Sequence, residues 1–416
     1  MQTALPDTMP SITDRQPSPR FQAKREQILQ AAARKFNQLG VRGATLEDIA
    51  VDVGMNLTSI RHYFRKKDDL VAAGFLRSIE VHRARIDLSK PAGPPEARVR
   101  DFVRRYFEFR RRVRAGEEMD VMSFGDLRSL AEPHASEVWP KYVDLFRNVR
   151  EIVADPDEIE NHRHRVNARA HLLISQLIRS VYWLPEYPDS ELERVEARFS
   201  DVLFGGIAMP GAPRLDRMVE LSEKAPPDKR SWESFLLAAT RLINQQGYRG
   251  ASVERIARQM NVTKGSFYHH IRAKDALVAA CFNRNYLLLQ EAQRLAVEQE
   301  KRGLEQAFAA AAALVRRQQT PAGPLLRNSA LTSIDPGTRK QMLRQMDQIV
   351  VRFTDMLSDG IIDGSARPCD TRVGGQMLMA MVNSAAELKH WVPDLTADQS
   401  VTLFCTPMFR GLFAPA

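Results

Sequence analysis

The sequence predicts an all-α protein made of two similar units in tandem, and three observations support this prediction. The first is an internal repeat: residues 26–75 and 233–282 align without a gap at a constant offset of 207 residues, with almost half of the positions identical. The second is the spacing of apolar residues, which follows the 3.6-residue period of a helix in both copies. The third is the chain after each copy, about 130 residues, which keeps a helical period and has no convincing strand pattern.

Composition and charge narrow the class of protein. A formal net charge of +9 and a pI near 9.5 favour a polyanionic partner, either nucleic acid or an anionic membrane surface, although a solvated basic surface without a partner is the alternative. No window approaches the ~18 apolar residues that a membrane span needs. Cys281, Cys369 and Cys405 show no metal-ligand spacing, as is typical of free thiols in a reducing cytoplasm. We therefore expect a cytoplasmic protein with no membrane partner.

Catalytic and metal-binding signatures do not occur at interpretable spacing. The sequence contains no recognisable Ser-His-Asp set, carboxylate pair or Gly-rich phosphate loop, so we expect neither an enzyme nor a cofactor. His162, His164 and His171 lie close in sequence, but the first two are two residues apart and point in different directions on a helix. We therefore expect no metal site.

Each copy begins with two amphipathic helices. The first helix is predicted to end near Gly40 in one copy and Gly247 in the other, where a residue tolerant of positive φ is favoured. The second helix is predicted to begin at a hydroxyl cap, Thr45 or Ser252. In the first copy Asp48 completes a Thr-x-x-Asp capping box.

A short turn and a third helix follow. The turn contains Gly54 in one copy and Asn261 in the other, the two residue types that most readily enter the left-handed region. The third helix begins after Asn56 or Thr263, and its apolar face consists of only two residues four positions apart. Its opposite face is therefore free to contact a partner. The apolar pairs are Ile60 with Phe64 and Phe267 with Ile271.

Two helices joined by a tight turn, the second capped and polar on its outer face, are typical of a helix-turn-helix that contacts DNA bases. A plain three-helix bundle with a solvated third helix is the alternative, and recurrence of the cap, the turn and the polar face in both copies disfavours it. The sequence therefore predicts two DNA-contacting domains. The residues expected to face outward are Leu57, Thr58, Ser59, Arg61, His62 and Tyr63 in the first copy, and Lys264, Gly265, Ser266, Tyr268, His269 and His270 in the second.

The segments "TLEDIAVDVGMNLTSIRHYFRKKDDL" from Thr45 and "SVERIARQMNVTKGSFYHHIRAKDAL" from Ser252 resemble the N-terminal domain of TetR-family transcriptional regulators. The likeness covers about 50 residues in each copy. The chain departs from the family pattern at Leu57, Thr58 and Arg61, where Lys, Gly and Tyr are usual. These three residues lie on the predicted outer face, so they leave the base preference open without disturbing the fold.

The resemblance implies roles on DNA for individual residues. Residues 57–59 and 264–266 would reach base edges in the major groove. Phosphate contacts would come from Thr45 and Ser252 at the start of the second helix, and from Lys67 and Lys274 at the start of the fourth. Contacts to phosphates or thymine methyls would come from Tyr63, Tyr268 and His269 on the third helix.

The resemblance also implies a helical effector and dimerisation domain after each DNA-contacting domain. In TetR-like proteins the last two helices of each subunit form a four-helix dimer interface, and here both pairs, marked by Trp183 and Trp391, belong to one chain. We therefore expect a pseudo-dimer, in which the two halves of one chain pack as two subunits would, either alone or as a dimer of tandem chains. We call each DNA-contacting domain a reader domain and the helical domain after it an effector domain. The predicted boundaries are a disordered tail at 1–20, the first reader domain at 21–70, the first effector domain at 71–206, a linker at 207–229, the second reader domain at 230–277 and the second effector domain at 278–416.

The predicted linker carries four prolines. As a flexible coil its 23 residues would have an r.m.s. reach on the order of 25 Å, enough to cross a helical interface. The two reader domains differ where bases would be contacted, so we expect one chain to bind one asymmetric double-stranded DNA operator.

We expect a repressor that a small apolar or amphipathic effector releases from DNA. Aromatic residues are denser in the first effector domain, and Phe102, Tyr106, Phe124 and Trp139 are the candidates to line a pocket there. Aromatic residues at helical spacing are also common in a plain core. A helical adaptor or ligand-binding protein that has lost DNA binding in one or both copies is the alternative to a regulator.

Overall fold

The computed structural model of the protein describes residues 18–212, 215–222, 231–250, 253–260 and 274–414. Within these ranges the regular structure is helical, apart from one antiparallel bridge between Ala208 and Ala366. The prediction of an all-α fold is confirmed. The helices of the first half are α1 (Pro19–Gly43), α2 (Leu46–Asp52), α3 (Leu57–Tyr63), α4 (Lys67–Ser89), α5 (Pro95–Arg114), α6 (His134–Val153), α7 (Pro156–Asn161), α8 (Arg163–Trp183) and α9 (Leu192–Gly205).

The second half follows a similar order. A short 3₁₀ segment, Phe124–Ser129, precedes α6 in the first half. Another, Asn328–Ser333, precedes the long helix Pro336–Ile362 in the second half. A π-helical turn, Val401–Cys405, precedes the last helix. The helices are α10 (Trp232–Gly250), α11 (Val253–Gln259), α12 (Lys274–Gln299), α13 (Gly303–Gln318), α14 (Pro336–Ile362), α15 (Thr371–Ser384), α16 (Leu388–Trp391), α17 (Ala397–Ser400) and α18 (Thr406–Arg410).

The first helix of each reader domain is interrupted at the glycine where the sequence predicts its end, and α1 begins earlier than predicted. Pro19 occupies the first turn, where its missing N–H is tolerated, and Ser18 caps that turn. The helix thus starts inside the tail predicted for residues 1–20. Near the other end Gly40 has a φ of 73°, and Gly247 in α10 has a φ of 68°. This left-handed conformation interrupts the regular helix at both predicted positions.

The buried apolar residues form two clusters in the described part of the chain. The larger one joins the first reader domain to the helices of both effector domains. The smaller one belongs to the second reader domain and centres on Phe235, Ile256 and Phe282, with Leu326 and Met342 added from the second effector domain. The core of the first reader domain is therefore continuous with the larger cluster, whereas the second reader domain shares a separate core with part of the second effector domain.

Helices α8 and α9 pack against α15 and the C-terminal helices α16 and α18. The indole of Trp391 stacks on the ring of Phe146, with centroids 3.6 Å apart and planes 9° apart. The Asn167 side-chain amide donates to the Trp391 carbonyl at 2.6 Å, and the Gln176 amide donates to the Met377 carbonyl at 3.1 Å. Both halves of the chain thus contribute their last helices to one interface, which confirms the predicted pseudo-dimer arrangement.

The predicted linker is non-helical, but its described part is packed against the second half. The backbone N–H groups of Ile207 and Ala208 both donate to the Phe409 carbonyl at 2.8 Å. Further along, the Val219 side chain is only 4% exposed, and the Arg317 guanidinium donates to the Ser222 carbonyl. The expectation of a freely flexible coil is therefore wrong for residues 207–212 and 215–222, because apolar side chains and backbone hydrogen bonds attach the chain to the helices.

Candidate nucleic-acid interface

The second helix of the first reader domain begins with the predicted capping box. The Thr45 hydroxyl accepts a hydrogen bond from the Asp48 N–H at 3.0 Å, and the Asp48 carboxylate accepts one from the Thr45 N–H at 2.8 Å. The Thr45 hydroxyl also donates to the Asp48 carboxylate at 2.7 Å. These hydrogen bonds from the Thr45 side chain and backbone lower the pKa of Asp48. The phosphate contact predicted for Thr45 would require its hydroxyl hydrogen to leave Asp48.

The turn between α2 and α3 has the predicted geometry. Gly54 has a φ of 63°, and the Met55 N–H donates to the Ala50 carbonyl at 2.9 Å. The Asn56 side chain then accepts a hydrogen bond from the Ser59 N–H at 2.8 Å and caps α3. Because turn and cap are both local, they orient α3 relative to α2 largely independently of the rest of the chain.

Helix α3 is held by its two predicted anchors. Ile60 is fully buried and Phe64 is 4% exposed. Leu57 is three residues before Ile60 and so shares its face, which leaves Leu57 half-buried against the core rather than fully outside as predicted. The structure places the other predicted residues as follows: Thr58, Arg61 and His62 exposed, and Ser59 and Tyr63 half-buried.

The N-terminal turn of α1 touches the far end of α3, which the sequence did not indicate. The ring of Phe21 stacks on the ring of Tyr63 with centroids 4.6 Å apart, and its edge meets His62 at 5.8 Å. Phe21 lies at the border of the predicted tail, outside the aligned repeat. No periodic signal marks it, because the contact joins segments about 40 residues apart.

Helix α4 begins at Lys67, and the phosphate contact expected of this residue stays a prediction. Lys66 precedes the helix, and its N–H donates to the Asp69 carboxylate at 2.9 Å. Asp68 and Asp69 lie in the first turn of α4, where negative charge is favourable next to the helix N-terminus. Lys67 therefore stands at the helix start, followed directly by two acidic residues.

In the second reader domain the structure describes α10, α11 and the start of α12. Lys274 is the first residue of α12, the position equivalent to Lys67 in α4. The other predicted contacts, Ser252, Lys264, Gly265, Ser266, Tyr268 and His269, lie outside the described residues. Their roles stay predictions based on the sequence repeat.

The first effector domain contains an apolar cavity of about 60 Å³. Its wall includes Phe102, Tyr106 and Phe124, three of the residues proposed for a ligand pocket, together with His82 and Asn37. Burial of the His82 ring, helped by two nearby arginines, lowers the pKa of this residue to about 3, so its imidazole is neutral at physiological pH.

Trp139 does not line this cavity, contrary to the prediction. Its ring lies 5.7 Å from the ring of Tyr142 and 5.1 Å from the ring of His390 in the second half, with the Arg128 guanidinium 4.9 Å away. Trp139 thus helps to join the two halves instead of facing the cavity.

The cavity wall is attached directly to α1 through Asn37. The Asn37 amide donates to the Val121 carbonyl and accepts from the Ser123 N–H, both at 2.8 Å. Asn244 in α10 makes the same pair of bonds, donating to the Leu325 carbonyl at 2.8 Å and accepting from the Arg327 N–H at 3.0 Å. An asparagine at the same aligned position thus hydrogen-bonds each reader domain to its effector domain.

In the described part of the chain, no three His, Cys, Asp or Glu side chains converge as a metal site would require. The helices in those ranges are also too short or too polar for any of them to span a bilayer.

The geometry defines the class of protein. One helix-turn-helix domain, with capped helices and an exposed third helix, lies at the N-terminus of a helical pseudo-dimer, and its sequence repeat begins the second half. Residues 28–73 and 235–281 match the sequence model of the N-terminal domain of bacterial regulatory proteins of the TetR family. The chain therefore carries two TetR-type N-terminal domains in tandem.

Individual similar proteins match parts of the chain. The Transposon Tn10 TetC protein of Escherichia coli is 33% identical over 61 residues, which are 15% of this chain and 31% of that protein. The matched region thus spans about a third of the relative. Among solved structures, apo AibR is 24% identical and matches 43% of this chain and 98% of its own, with a TM-score of 0.36. PfmR, a TetR-family transcriptional regulator from Thermus thermophilus, is 20% identical and matches 43% and 99%, with a TM-score of 0.37.

Proposed function

We propose that the chain is a sequence-specific DNA-binding transcriptional regulator, a repressor released by a small molecule, whose two unlike reader domains bind one asymmetric operator. One observation carries the proposal. Helix α3 is anchored by Ile60 and Phe64, which leaves Thr58, Arg61 and His62 exposed on a capped helix behind a tight turn. This is the geometry with which a helix-turn-helix enters a major groove.

The net charge of +9 supports a DNA partner, because cationic side chains gain affinity by releasing the counterions of phosphates. The direct test is selection of duplexes from a random DNA pool by the purified chain, followed by binding measurements over a range of salt concentrations. The logarithm of the association constant for the selected duplex should fall linearly with the logarithm of the salt concentration. A folded chain that enriches no sequence and binds no duplex would instead be a helical adaptor.

Removing exposed groups from α3 should weaken specific binding and leave the fold intact. Thr58→Ala and Arg61→Ala are each expected to cost about 1–3 kcal/mol of binding free energy, because each removes one contact to a base edge. The measurement is a titration of the selected duplex, with circular dichroism to confirm helical content. Arg294→Ala is a matched control, because Arg294 is equally exposed but lies on α12 and pairs with Glu291 at 2.9 Å. Affinity unchanged in both α3 variants would contradict the assignment.

The cavity in the first effector domain supports an effector that is apolar or amphipathic and uncharged. Its aromatic walls favour apolar groups, and the neutral His82 offers one hydrogen-bonding group. Arg110 also lines the cavity, but its guanidinium is paired with the Asp120 carboxylate at 2.8 Å. A charged ligand would have to compete with this ion pair.

Asn37→Ala is expected to uncouple effector binding from DNA release. An effector found by thermal-shift screening of hydrophobic metabolites should lower the DNA affinity of the unaltered chain about 5- to 150-fold. At effector concentrations that saturate the thermal shift of each protein, the variant should release DNA less, because α1 no longer follows the cavity wall. Asn244→Ala is the control: it removes the equivalent bonds in the other half and should leave release intact. Equal release from all three proteins would show that Asn37 does not transmit the signal.

A further inference from the structure

Helix α1 begins six aligned positions earlier than α10, and the residues that align with the first five of these, 226–230, lie outside the described part of the chain. Helix α1 begins at Pro19, whereas α10 begins at Trp232, the residue that aligns with Arg25. Ser231, directly before α10, lies in a bend. Residues 19–25, which we call the N-terminal extension, carry Phe21 where the second copy has Asp228, so the two reader domains differ in sequence here as well as in their third helices.

The extension contacts three aromatic rings in succession at the end of α3. Phe21 stacks on Tyr63 at 4.6 Å with planes 28° apart, and it meets the edge of His62 at 5.8 Å. One turn later, the Arg25 guanidinium lies 5.1 Å from the centre of the Phe64 ring. The extension therefore touches the end of α3 at which contacts to the DNA backbone are expected.

We propose that Phe21 is a positioning residue of the first reader domain, which holds Tyr63 and His62 in the orientation in which they meet the DNA. This rests on the proposed DNA-binding function. A side chain that is already immobilised loses less rotamer freedom on binding, and an offset aromatic stack supplies that immobilisation. The half-site bound by the first reader domain depends on Phe21, and the other half-site does not.

The surroundings of Phe21 distinguish this role from a part in the core. Phe21 and Tyr63 are both half-buried, whereas the core of this domain is formed by fully buried residues such as Ile28 and Ile60. Removing the Phe21 ring opens no internal cavity, because the ring lies at the surface of the domain. Its loss should therefore affect the order of the Tyr63 and His62 side chains more than the stability of the fold.

The test uses the full chain and the duplex that the unaltered chain selects from a random pool. Phe21→Ala should weaken binding about three- to tenfold, and Phe21→Trp, which keeps a stacking ring, should restore most of the loss. Hydroxyl-radical footprints should lose protection only at the half-site that Arg61→Ala also weakens. Trp232→Ala removes an aromatic ring at the start of α10 and should leave protection of that half-site unchanged.

Two results would overturn the positioning role. One is Phe21→Ala with the affinity and footprint of the unaltered chain. The other is a loss spread over both half-sites, with a lower midpoint of unfolding and no rescue by Phe21→Trp, which would make Phe21 a structural residue. If the unaltered chain selects no duplex, the proposed function itself fails and the positioning role with it, and this outcome is distinct from the other two.

Discussion

An operator in which one half-site is replaced by a copy of the other is expected to bind the chain more weakly by about 3 kcal/mol or more. A mismatched base pair typically costs about 1–3 kcal/mol, and the substitution alters several positions at once. The reader domains differ where base contacts are predicted: Leu57 and Thr58 stand against Lys264 and Gly265. A lysine reaches acceptors on guanine, whereas a leucine offers only apolar contact, as to a thymine methyl.

The measurement compares the selected duplex with two symmetric duplexes, one built from each half-site, at one salt concentration. The half-sites are expected about one helical turn or more apart. Light scattering of each complex shows whether one chain or two occupy the site. Either symmetric duplex binding as tightly as the selected one would remove any role for the divergence of the reader domains.

A compensating variant makes this test sharper. The triple substitution Leu57→Lys, Thr58→Gly and Arg61→Tyr gives the first reader domain the residues that are predicted to contact bases in the second, and it leaves the buried Ile60 in place. This variant should prefer the symmetric duplex built from the half-site of the second reader domain. A variant that folds and keeps the preference of the unaltered chain would place the specificity outside α3.

Trp391→Ala is expected to destabilise the whole chain by about 3–5 kcal/mol, the usual cost of deleting a buried tryptophan. The Trp391 ring is 8% exposed and stacks on Phe146 of the other half at 3.6 Å, so the substitution leaves a cavity between the halves. The free energy of unfolding from urea titration measures the loss. A change below about 1 kcal/mol would mean that the site collapses around the smaller side chain.

Trp183→Ala is a matched control for the effect of Trp391→Ala on the interface between the two halves. Trp183 occupies the equivalent place in the first half and is 4% exposed, but its aromatic contacts are with Tyr187 and Phe199 of the same half. Both variants should lose stability. Only Trp391→Ala should speed hydrogen exchange at the Ile207 N–H, which donates to the Phe409 carbonyl of the second half. Equal exchange in the two variants would contradict a specific role of Trp391 there.

The sequence by itself determined the repeat, the all-helical class and the local geometry of the first reader domain. The Thr45 capping box and the Asn56 cap each join residues three positions apart, Gly54 is a residue type that favours the left-handed turn, and Ile60 and Phe64 are apolar at helical spacing. Such interactions follow from the 3.6-residue period and from the hydrogen-bonding needs of helix ends. They were predictable for that reason.

The tertiary structure alone decided which distant segments meet. The stack of Phe21 on Tyr63, the attachment of Asn37 to the cavity wall and the turn of Trp139 away from the cavity each depend on the packing of separate helices. The same holds for the linker, whose composition is typical of a coil but which finds partners in Phe409 and Ser365 of the second half. A local pattern contains no information on these contacts, because their energy comes from surfaces that only the folded chain brings together.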